Sequence, residues 1–172
     1  MKKKNQKRND ALKEKSAVES LTFQTNWGLK NLYGESGEKY CELAKVEVGD
    51  ITKLGLVQDI LSIKGLVDGV RAAFDVEPCA ELGDLCISIV TIALGIGRRE
   101  VVENIGQPAA WNELMKKKLL KIYYPEEVRN KVFEWAKKNG YNTSTYLGQP
   151  MVKFDKLFIL LERASILIST SV

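Results

Sequence analysis

The stretch Trp111–Tyr124, WNELMKKKLLKIYY, followed after Pro125 by EEVRNKVFEWAKK to Lys138, carries the reading of the fold. Trp111, Met115, Leu119 and Ile122 recur at spacings of four, four and three, which lays them along one side of an α-helix. Projection at about 100° per residue sets Lys117 and Lys121 opposite that stripe and Lys118 at its flank. Pro125 suits the first turn of a second helix. There Val128, Val132, Trp135 and Ala136 face inward, and Arg129, Lys131, Lys137 and Lys138 stay outside or flanking. Glu126 and Glu127 favour the positive end of that helix, and Gly140 terminates it.

Working outward, the same spacing predicts helices throughout. One runs from about Asp10 to Leu32, with Val18, Leu21, Leu29 and Leu32 on a stripe, and ends at Tyr33-Gly34. A short helix through Tyr40, Leu43 and Ala44 reaches Gly49-Asp50, where Asp50 caps a helix carrying Ile51, Leu54, Val57 and Leu61. Gly55, Gly65 and Gly69 predict close backbone approach or a break near Lys64-Gly65. Pro78 opens a helix to about Ile96 that is apolar nearly all round, through Leu85, Ile89, Val90, Ile92 and Leu94, and so belongs at a bundle centre. A last helix from Met151 to about Ser169 buries Phe154, Phe158, Leu161 and Ala164. The expected fold is all-α: a single bundle of about six helices with a buried central helix over residues 10–172, preceded by a basic flexible tail at 1–9.

The net charge of +4 conceals segregation. Residues 1–15 hold seven basic and two acidic side chains, residues 16–112 eight and fourteen, and residues 113–138 eight and four. Basic clusters displace counterions from phosphates, and the acidic segment suits docking to basic neighbours. The chain has no histidine, which excludes Ser-His and Cys-His nucleophile pairs and histidine metal ligands. Cys41, Cys79 and Cys86 form neither a disulfide framework nor a zinc pattern. Gly95-Ile96-Gly97-Arg98-Arg99 reads as a structural break, because a phosphate loop follows a strand and carries Lys-Ser or Lys-Thr. Glu100 and Glu103 share a face but lack a third magnesium ligand. The longest apolar run, Leu85–Ile96, is interrupted by Ser88 and Thr91 and is too short for a membrane span. No signal-type segment follows the first lysines. The expectation is a cytoplasmic protein with no bond chemistry, cofactor or metal. Tyr123, Tyr124 and Tyr141 lie among the lysines, whereas Trp111 and Trp135 fall on apolar stripes and read as core.

Tyr40, Leu43-Ala44-Lys45, Ile51, Gly55-Leu56, Gln58 and Ile60-Leu61 together resemble the N-terminal signature of the small helical subunit of type III-B CRISPR RNA-silencing complexes. The segment Lys153–Ile168 is similar to that family's final amphipathic helix. Leu54 stands where the family has an asparagine. The resemblance implies a non-enzymatic RNA-binding scaffold subunit that stacks head to tail along guide and target RNA beside larger basic subunits. It carries over Lys45 and Lys53 as backbone contacts. Lys117, Lys118, Lys121, Arg129 and Lys131 come from the charge reading alone. A different class, a helical coat-like or DNA-binding protein of a virus or plasmid, fits the same charges.

Overall fold

Leu119–Tyr124 is a β-strand, and with it the all-α expectation is overturned. The computed structural model describes residues 2–79, 82–97, 106–117 and 119–164. Their order is α1 (Lys2–Tyr33), a 3₁₀ turn (Gly34–Gly37), α2 (Glu38–Lys53), α3 (Val57–Phe74), α4 (Ile89–Ala93) and α5 (Trp111–Lys117). There follow β1 (Leu119–Tyr124), α6 (Glu126–Lys138), β2 (Asn142–Tyr146), β3 (Gln149–Lys153) and β4 (Phe158–Arg163). The protein is therefore α/β, with a helical first part and a four-stranded mixed sheet in the order β1-β4-β3-β2.

β1 runs parallel to β4, from Leu119 opposite Phe158 to Tyr124 opposite Arg163. β4 pairs antiparallel with β3, and β3 with β2. The β2–β3 hairpin turns through Leu147 and Gly148, both at positive φ (49° and 80°), the backbone shape that matches strand twist in a two-residue loop. Along β1, Leu120, Ile122 and Tyr124 are buried while Lys121 is exposed, the period-two pattern of a strand. Leu120, Ile122 and Tyr124 share the main core with Val152, Ile159 and Leu161, and with Val132 and Ala136 of α6. α6 thus covers one face of the sheet. The region expected as the last helix is β3, a short loop and β4 as far as Arg163; its remainder, from Ser165, lies outside the described residues.

The helical part also differs from expectation at its boundaries. α1 begins at Lys2, so residues 2–9, expected as a tail, are continuous with it. α2 continues through Gly49-Asp50 and ends at Lys53, beyond which Gly55 takes φ 70°. α3 passes unbroken through Gly65 and Gly69. The buried central element is present but short: only Ile89–Ala93 is helical, capped by Ser88, whose side chain accepts from the Thr91 amide. α1 crosses this element closely, since a β-carbon on Gly28 would lie 2.0 Å from the Ala93 carbonyl oxygen.

Two acidic side chains of the first half are internal clamps. Glu47 is fully buried, and its carboxylate accepts from the Ser88 hydroxyl, the Ile89 and Ala109 amides, and Trp111 Nε1 at 3.1 Å. Asp59 accepts from three successive amides, Asp155, Lys156 and Leu157, at 3.1, 2.8 and 2.8 Å. Each replaces water with several fixed donors, which is how a buried carboxylate is tolerated. Asp59 thereby ties α3 to the loop that feeds β4.

Candidate nucleic-acid interface

The first half of α1 presents a continuous run of exposed residues rich in lysine and arginine. Lysine, arginine, glutamate, glutamine, alanine and leucine dominate it, all good helix formers, and no glycine or proline interrupts α1 before Gly28. Gln6 donates to Asp10 one turn on at 3.1 Å. Every residue from Lys2 to Ser16 is exposed, and burial begins at Ala17. That half projects about 22 Å beyond its packed portion, at 1.5 Å per residue. Its first turn contains no acid, so Lys2, Lys3 and Lys4 crowd the positive end of the helix dipole. A polyanion relieves that repulsion. Nearer the body, Phe23 and Trp27 lie one turn apart with 69% and 61% of their surface exposed.

Lys117 and Lys121, expected on one helical face, are brought together differently. Lys117 ends α5 and Lys121 lies on β1, yet both line a cleft of about 420 Å³ with Asp84 and Tyr123. Lys117 Nζ donates to Asp84 Oδ1 at 2.8 Å, and the Lys121 amide to Asp84 Oδ2 at 2.8 Å. The hydrogen bond it donates to Asp84, then the charge of that carboxylate, holds the Lys117 ammonium above the usual lysine range. Lys117 is thus paired with Asp84 at the cleft, while Lys121 presents an exposed side chain. Lys118 lies outside the described residues, as do Arg98, Arg99, Glu100 and Glu103.

Arg129 is a correction. It is 5% exposed beneath the sheet, where Nη1 donates to Gln149 Oε1 at 3.2 Å and to the Leu161 carbonyl at 3.3 Å. Burial, reinforced by Arg163, lowers its pKa from the ordinary arginine value. It holds α6 on β3 and β4 and is not on the surface. Lys131 is exposed on α6 and lines a second cleft, of about 380 Å³, with Phe74, Trp135 and Lys138. Lys45 and Lys53 are exposed on α2, and Lys45 lines a smaller groove of about 260 Å³ against Thr22 and Asn26 of α1.

Trp135, expected in the core, packs half-buried against it, and so does Phe74 at the end of α3, for which no local sequence pattern gives a signal. Among the described residues no group of three or more Cys, Asp or Glu is placed to hold a metal ion, and no helix is long and apolar enough to cross a membrane. Comparison with family models, curated proteins and solved structures found no match to the chain.

Proposed function

We propose that this protein binds nucleic acid through the phosphate backbone and serves as a scaffold on it, with the projecting half of α1 as its principal contact. The observation that supports this is the continuous exposure of residues 2–16, which carry seven basic and two acidic side chains. An exposed cationic helix gains affinity chiefly by releasing counterions, which requires no base reading. The narrower role, RNA-binding subunit of a CRISPR-type ribonucleoprotein complex, rests on the likeness over Tyr40–Leu61. Those residues form α2 and the opening of α3, while the sheet lies outside that family's all-helical pattern.

Fluorescence anisotropy with labelled RNA and DNA at two salt concentrations tests the proposal. Binding that weakens steeply with salt is expected. Absence of binding to both polymers at low salt defeats it.

A further inference from the structure

The second cleft, between the end of α3 and the outer surface of α6, combines features that the basic arm lacks. Phe74 and Trp135 line it and are half-buried, and its surface is mostly apolar. Its volume, about 380 Å³, is at the small end of ligand sites, which run from about 300 Å³ upward. Trp135 is braced: its six-membered ring rests against the backbone at Gly69, and its centroid lies 6.0 Å from that of Tyr141. Lys131, Trp135 and Lys138 follow one another at four and three residues, which aligns them on one strip of α6 with a cation a turn to either side of the indole. Asn130 and Glu134 complete the lining with groups that hydrogen-bond base edges. Glu134, 3.7 Å from Lys137, sets one carboxylate in the lining beside the two rim lysines, so the cleft keeps a net of one positive charge.

We infer that this cleft takes an unpaired nucleobase of a single-stranded nucleic acid, stacked with Phe74 and Trp135, while Lys131 and Lys138 engage the phosphates on either side. This rests on the nucleic-acid reading above and specifies the form of polymer. A base within a duplex is already stacked on both faces and does not reach such a slot, whereas an unpaired base offers its π-face whatever its identity. The arm on α1 supplies affinity for any polyanion; the cleft supplies preference for single strands.

The test is anisotropy on the full chain with a labelled mixed-sequence single strand, as RNA and as DNA, and a hairpin duplex of matching length. The wild type is expected to bind single strands more tightly than duplex. Phe74→Ala is expected to weaken single-strand binding roughly tenfold and leave duplex binding unchanged, the loss of one stacking partner. The paired surface change Lys131→Glu with Lys138→Glu, which disturbs no buried group, is expected to reduce the single-strand preference in the same way. Circular dichroism and thermal melting verify that both variants are folded. Equal wild-type affinity for single strand and duplex overturns the inference alone. So does a preference that survives both variants, or a loss in the lysine pair that is equal for the two polymers. Wild-type protein that binds neither polymer overturns the proposed function as well.

Discussion

Gly69 of α3 and Trp135 of α6 meet backbone to ring: a β-carbon at Gly69 would lie 2.2 Å from Trp135 Cη2. On an isolated helix Gly→Ala is favourable by about 1 kcal/mol. Here the added methyl collides with an indole that also packs near Tyr141, ring centroids 6.0 Å apart. Gly69→Ala is therefore expected to destabilise the protein by about 1–3 kcal/mol, the cost of overpacking. Urea unfolding followed by tryptophan emission measures it, and an increase in stability contradicts the packing described.

Glu47 anchors α2 to α4 and to the chain at Ala109 and Trp111 through four donors. Glu47→Ala strands all four in a dry interior. A loss of several kcal/mol is expected, since each stranded buried donor costs about 1–3 kcal/mol. Glu47→Gln, which keeps one acceptor and the side-chain volume, should cost less, about 1–3 kcal/mol. Thermal melts of the two variants, compared with wild type, establish the order.

Tyr124 is fully buried, and among the described residues its hydroxyl has no hydrogen-bond partner. Burial holds its pKa well above the usual tyrosine value, with Arg71 opposing more weakly. The folded state therefore keeps the phenol proton more tightly than the unfolded chain does. That contribution is fully present below about pH 10, the unfolded value, and is lost as pH rises beyond it. Urea unfolding at successive pH values is expected to show stability falling above about pH 10, less steeply in Tyr124→Phe. An identical alkaline slope in the two proteins refutes the assignment.

Replacing Lys3, Lys4, Lys7 and Arg8 together with glutamine removes four cations from the arm and no packing contact, because all four are exposed. The logarithmic salt slope for duplex DNA is expected to fall by roughly three to four, at about 0.9 per phosphate contact. The melting temperature is expected to hold or rise, since positive charge leaves the positive end of the helix. An unchanged slope would move the phosphate contact away from α1.

How much of this was legible in the sequence depended on whether burial or neighbours decided each element. α6 followed from Pro125, Val132, Ala136 and Gly140, and the end of α1 from Tyr33-Gly34. The run Leu85–Ile96 was rightly placed in the interior, since apolarity marks burial in any conformation. It does not specify helix, and only five residues adopt one. In β1, Leu119 and Ile122 satisfy a helical spacing as readily as Leu120, Ile122 and Tyr124 satisfy an alternation. Six residues cannot separate the two, and pairing with β4 decides. β4 hides its period because Ile159, Leu160 and Leu161 are all buried. The hairpin was missed because Leu147 stands where Asn or Asp usually announces such a turn.

The candidate site shows the same division. Lys117 and Lys121 are exposed under either reading, so their position at the surface was legible. Arg129 was not. The buried side of α6 runs through Arg129, Val132 and Ala136, with Val128 and Trp135 of the expected stripe half-buried beside them, and Gln149 and the Leu161 carbonyl accept the guanidinium.

β4 lies between β1 and β3, although it is the last of the four strands in the chain. Its parallel partner β1 precedes it by the whole of α6 and the hairpin, so that pairing must await closure of a long loop, whereas β2 and β3 can zip locally. During synthesis β1 and β3 therefore present open edges until the final strand leaves the ribosome. Insertion of Phe158–Arg163 is the step that completes the sheet, and a chain truncated before it would hold two strand fragments with adhesive edges rather than a smaller stable fold.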